Sequence, residues 1–125
     1  MKYLLDTHPL VFLIYAPNSL SKKARNIIKN DSNVLYIPTL ALLEVKYLFE
    51  VGKLKGDIAD FTHYIKRKTN VLMADFSEGE LREALLLEST RDPFDRIILS
   101  TAISMDIFIL TKDKWMQKKY SKVIW

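Results

Sequence analysis

Tyr3-Leu4-Leu5-Asp6-Thr7-His8-Pro9-Leu10-Val11-Phe12-Leu13-Ile14-Tyr15 is the stretch on which the fold reading turns. Three apolar, β-leaning residues run into an acid, and a helix-length apolar segment, 9–15, follows. The same alternation continues along the chain. Residues 3–5, 34–37, 71–73, 108–110 and 123–124 read as strands, being short, apolar and bounded by polar or turn residues. Residues 21–30, 39–51, 57–67, 77–88, 93–105 and 114–119 carry helical periodicity. Ser19 or Ser21 can cap the first of these, Ser77 with Glu80 has the capping-box spacing, and Asp92 precedes Pro93. Strands too apolar to have a wet face, separated by helices, imply an α/β fold. The expected architecture is a three-layer α/β/α sandwich with a mainly parallel sheet. In such sheets ligands sit outside the carboxyl ends of the strands.

Composition fits one domain spanning residues 1–125. The chain is 49% hydrophobic and 27% charged, with 3 Gly and 4 Pro, which excludes a disordered chain. It has no cysteine, hence no disulfide framework, no thiolate nucleophile and no Cys-bound metal. The apolar start superficially resembles a signal peptide, but Asp6, His8 and Pro9 interrupt it and no small-residue cleavage site follows. Residues 10–16 are too short to span a bilayer. No membrane association and a cytoplasmic location are therefore expected. A net charge of +4 permits a polyanionic partner but does not require one.

Four acids stand where acids are costly. Asp6 ends the strand 3–5, and Asp113 follows the strand 108–110 after Thr111-Lys112. Each alone is explained equally by turn or cap chemistry. Glu44 is different. On a helical wheel of 39–51 at ~100° per residue, Leu40, Tyr47, Leu48 and Val51 surround it, while Lys46 and Glu50 lie opposite. Its i±3 and i±4 neighbours offer no ion pair, so it is a boundary Glu, one paired to a distant Arg, or a ligand. Asp95 lies on the arc of Phe94, Ile98, Leu99, Ala102 and Met105, with Arg96 and Ser100 pointing away. Asp92 is explained as the N-cap before Pro93. Asp6, Glu44, Asp95 and Asp113 brought together would repel, each raising the pKa of the others. A divalent cation removes that conflict, and oxygen-only donors favour Mg²⁺ or Mn²⁺.

These residues resemble a known family. Leu4-Leu5-Asp6-Thr7-His8, Glu44 in an apolar helix, Arg91-Asp92-Pro93-Phe94-Asp95-Arg96 and Leu110-Thr111-Lys112-Asp113 are similar to the PIN-domain ribonucleases. The Asp-Thr-His and Asp-Pro-Phe-Asp-Arg strings look most like the VapC-type toxins of toxin–antitoxin modules. The resemblance covers essentially the whole chain. It implies that Asp6, Glu44, Asp95 and Asp113 are the catalytic, metal-binding acids, with Thr111 and Asp92 as accessory residues. It further implies an α/β/α fold, a homodimer, cleavage of an RNA substrate by metal-activated water, and inhibition by a cognate antitoxin protein. Thr90 stands where relatives often carry His. Arg91, Arg96, Lys112 and Lys114 flank the acids and are the candidate substrate-binding residues. Lys66, Arg67 and Lys68 read either as phosphate contacts or as partners of a helix C-terminal dipole. A non-toxin PIN nuclease and a catalytically inactive RNA- or protein-binding module are the rival readings. An aspartyl-nucleophile phosphatase would need a second acid where His8 stands. A receiver-type phosphoacceptor domain has no role for Glu44.

Overall fold

The computed structural model describes residues 1–90 and 92–125. Five strands, β1 (Lys2–Leu5), β2 (Val34–Pro38), β3 (Val71–Ala74), β4 (Phe108–Leu110) and β5 (Val123–Ile124), pair in parallel in the order β3-β2-β1-β4-β5. The helices are α1 (Thr7–Tyr15), α2 (Lys22–Lys29), α3 (Ala41–Glu50), α4 (Ile58–Lys66), α5 (Glu78–Leu86), α6 (Pro93–Met105) and α7 (Lys114–Lys119). A 3₁₀ turn at Pro17–Ser19 links α1 to α2.

The two-residue period of each strand sorts its side chains into two cores. Tyr3, Leu5, Leu35, Ile37 and Leu110 pack with Leu10, Val11, Ala24, Ile28, Val45, Phe61 and Ile65 from α1 to α4. Leu4 and Ile109 pack on the other side, with Ile98, Leu99 and Ala102 of α6 and Met116 of α7. The α/β/α sandwich expected from the alternation is therefore present. Its asymmetry follows from the chain path. The chain runs outward from β1 to β3, then crosses back to start β4 on the far side of β1. Right-handed crossovers place the connecting helices on opposite faces for the two directions of travel.

Local chemistry sets the helix starts. Ser21 Oγ accepts the amide of Ala24 at 3.0 Å, and Asp57 Oδ1 that of Asp60 at 2.9 Å. Glu80 Oε2 accepts the amide of Ser77 at 2.9 Å, the reciprocal arm of a capping box. Asp92 Oδ1 accepts the amide of Phe94 at 2.8 Å, with Pro93 the first residue of α6. Helix α1 begins two residues before the expected Pro9, at Thr7, with Asp6 as its cap. Pro9 is tolerated there because first-turn amides have no intrahelical acceptor.

The order of the sheet decides where chemistry can sit. Strand order reverses between β1 and β4, which makes the crevice beyond their carboxyl ends the switch point of the sheet. Asp6 directly follows β1 and Thr111 directly follows β4. The Asp6 amide donates to the Leu110 carbonyl at 3.2 Å, so the two strand ends are tied together.

Candidate active site

Asp6 is buried, with 4% of its surface exposed. Its Oδ1 accepts the Thr7 amide at 2.7 Å, and its Oδ2 accepts the Thr111 hydroxyl at 2.6 Å. Desolvation nevertheless wins over these bonds and over the charge of His8, and the carboxyl pKa is pushed up. Thr111 is fully buried and serves two acids. Besides donating to Asp6, its Oγ1 accepts the Asp113 amide at 3.0 Å. Asp113 in turn caps α7, its Oδ1 accepting the Met116 amide at 2.8 Å. Asp113 is thus the cap of α7, and its backbone is tied to the hydroxyl that also bonds Asp6.

Glu44 lies in the first turn of α3, half-buried. The expected burial of its whole surrounding arc is corrected by the structure. Tyr47 and Val51 are exposed, with Leu43 on the same stripe, while Ala41 and Val45 carry the buried side of the helix. The apolar arc of α3 is wider than the strip it packs, so Glu44 stands at the rim of the core. Thr7 Oγ1 donates to its Oε2 at 2.6 Å. Burial raises the Glu44 pKa, and the charges of Asp6 and Asp92 add to it, against the lowering effect of Thr7.

Asp95 is the third residue of α6 and half-buried. Its pKa is pushed up to about 7, first by desolvation and then by Asp92, Asp113, Asp6 and Glu44. All four predicted acids, with Asp92, are therefore within one electrostatic neighbourhood centred on Asp95. Among the described residues none of them has an ion-pair partner; the ion pairs are Lys46–Glu50, Arg82–Glu78 and Lys122–Asp106. Nor, among the described residues, do three of these side chains stand close enough to grip a metal ion as they are. Thr7 and Thr111 donate hydroxyl hydrogen bonds to Glu44 and Asp6 respectively. The donor set itself, carboxylate oxygens with no ion-pair partner among the described residues, fits a hard divalent cation.

The basic candidates have mixed fates. Arg96 is half-buried and donates through Nη2 to the Thr90 carbonyl at 3.1 Å, which ties down the segment before α6. Lys112 is exposed, with its ammonium 4.9 Å from the centre of the Phe12 ring. Lys114 is exposed at the start of α7. Arg91 lies outside the described residues. Ser100 does not point to solvent as the wheel of α6 suggests. It is fully buried and donates to the Ile97 carbonyl at 2.9 Å, because α6 is covered by the sheet on one side and by α5 and α3 on others. Thr7 is a site residue that sequence reasoning does not find. A hydroxyl beside an acid leaves no charge or periodicity signal, and its partner lies 37 positions away.

A concavity of ≈ 360 Å³ lined by Tyr64, Arg67 and Lys68 lies elsewhere. These residues lead into the amino end of β3, at the sheet edge opposite the acids. Shape alone would point there; the coupled carboxylates at the switch point decide for the other edge.

Comparison with known proteins agrees with this geometry. The fold matches VapBC2 from Rickettsia felis bound to a DNA fragment from their promoter, with a TM-score of 0.68 at 20% identity, covering 99% of this chain and 96% of that one. It matches a toxin–antitoxin complex from Klebsiella pneumoniae with a TM-score of 0.66 at 17% identity, covering 98% and 96%. It also matches FitAB bound to an IR36 DNA fragment, with a TM-score of 0.58 at 18% identity, covering 98% and 93%. No curated protein sequence matches the chain. The sequence matches the PIN domain family over residues 3–122, nearly its whole length. Matched over nearly its whole length and built on a five-stranded parallel sheet, this chain belongs to the PIN-domain family.

Proposed function

We propose that the chain is a divalent-metal-dependent endoribonuclease acting as the toxin of a toxin–antitoxin pair. The observation that carries the nuclease reading is geometric: beyond the carboxyl ends of β1 and β4, Thr7 links Asp6 to Glu44, and Thr111 links Asp6 to the backbone of Asp113. Asp6, Glu44, Asp95 and Asp113 would hold Mg²⁺ or Mn²⁺. The bound ion would supply Lewis-acid polarisation of a phosphodiester and a readily ionised water. The protein's own part is to pre-shape the anionic pocket. Thr111 orients Asp6 and anchors the backbone at Asp113, and Asp92 fixes the start of α6 and so the position of Asp95. Asp95, whose pKa is pushed up to about 7, would bind the cation as the ionised carboxylate. Lys112 and Lys114, exposed beside the Asp113 turn, are placed to meet phosphates. Arg96 would act mainly by holding the Thr90 segment.

The toxin assignment, the antitoxin partner and a homodimer rest on likeness. The Rickettsia and Klebsiella structures are toxin–antitoxin complexes of the same fold, and the Asp-Thr-His and Asp-Pro-Phe-Asp-Arg strings resemble those toxins. The test is cleavage of mixed RNA by purified protein with Mg²⁺, with Mn²⁺ and with excess EDTA. Metal-dependent cutting that Asp6→Asn and Asp95→Asn each abolish in folded protein supports the reading. RNA binding with no metal-dependent cutting would replace it with a binding module.

A further inference from the structure

Asp6 and Glu44 come from different elements, the end of β1 and the first turn of α3, and they repel. One residue touches both. Thr7 is 2% exposed. Its amide donates to Asp6 Oδ1 at 2.7 Å, and its hydroxyl donates to Glu44 Oε2 at 2.6 Å.

We propose that Thr7 is a positioning residue, a two-ended clip that fixes Glu44 against Asp6 so that both serve one cation. The inference rests on the reading that these acids bind a metal. Thr7 is the first residue of α1, where the amide has no intrahelical acceptor and is available to a carboxylate. A threonine hydroxyl near a helix start usually bonds to local backbone. This one reaches a residue 37 positions away. The bond occupies Oε2 of Glu44, while Oε1 accepts no hydrogen bond among the described residues and remains for a cation. Branching at Cβ restricts the side chain, so the clip is held at little entropic cost.

Three properties separate a clip from a merely structural threonine: it needs the hydroxyl, it acts through Glu44, and it acts on metal affinity. The experiment uses the full chain as wild type, Thr7→Val, Thr7→Ser, Glu44→Gln and the Thr7→Val/Glu44→Gln double variant. Folding is checked by thermal melting in EDTA. Affinity is read from free Mn²⁺ by electron paramagnetic resonance, and RNA cleavage is followed in parallel. Removing an outer-shell hydrogen bond to a ligand should weaken Mn²⁺ binding by about tenfold in Thr7→Val. Thr7→Ser should stay within about threefold of wild type, since it keeps the donor. In the Glu44→Gln background Thr7→Val should add little. The proposal is overturned if Thr7→Val binds Mn²⁺ as wild type does. It is also overturned if Thr7→Ser loses as much, or if Thr7→Val costs the same with and without Glu44. Should Thr7→Val not fold, Thr7→Ala replaces it under the same criteria. Wild-type protein that neither binds Mn²⁺ nor cuts RNA would overturn the functional reading itself, and this one with it. That result is distinct from a working wild type indifferent to Thr7.

Discussion

Replacing Asp95 by Asn should make the metal-free protein more stable at pH 8. The folded chain holds the Asp95 proton up to a pKa of about 7, whereas the ordinary value is 3.8. Between those values the native state carries a proton that the unfolded state has released, so raising pH through the window favours unfolding. A tenfold change in proton affinity is worth about 1.4 kcal/mol. The rise at Asp95 therefore amounts to about 4 kcal/mol, which half-exposure to solvent screens to about 2 kcal/mol. Asp95→Asn removes the charge and should recover that amount at pH 8. Its advantage should shrink steadily as pH falls through 7 towards 4, where the wild-type carboxyl is protonated in the folded state. Equilibrium urea unfolding of both proteins in EDTA across this range reads the difference directly. Saturating Mg²⁺ should invert the order, because only the wild type gains the full linkage stabilisation. An Asn variant no more stable than wild type at pH 8, or a gap that does not close on acidification, would refute the electrostatic account of the site.

Thr111→Val removes a buried hydroxyl bonded to the Asp6 carboxylate, and should cost about 2 kcal/mol in urea unfolding at pH 8. Asp92→Ala should cost about 1 kcal/mol through loss of the α6 cap, while Asp92→Asn keeps most of that stability in the same melts. Ser100→Ala should be nearly neutral because the hydroxyl bonds only to its own helix, whereas Ser100→Lys should prevent folding at 37 °C by burying an unpaired ammonium in α6.

Much of this architecture is legible from residues alone, for reasons that also explain the failures. The strands stand out because each is short, apolar and flanked by polar punctuation, and the sheet buries both its faces. Helix starts are legible where a side chain of the right length stands at the right offset, as at Ser21, Ser77 and Asp92. The acids stand out because an uncompensated charge on a helix face is an energetic anomaly. Ser100 defeats the helical wheel, which assumes one wet side, because the middle of α6 has none. Tyr47 and Val51 defeat it for the converse reason: hydrophobic residues need not be covered. Thr7 leaves no trace because its partner is set by tertiary contact. The start of α1 hides behind Pro9, whose preference for a first turn fits its third position as well as its first.

The hydroxyl bond from Thr111 to Asp6 spans 105 positions of the chain. During synthesis Asp6 leaves the ribosome 105 positions ahead of Thr111. The acid pocket therefore cannot close until the chain has been made as far as Thr111. The edge of β1 that faces β4 must wait unpaired until β4 is released from the exit tunnel.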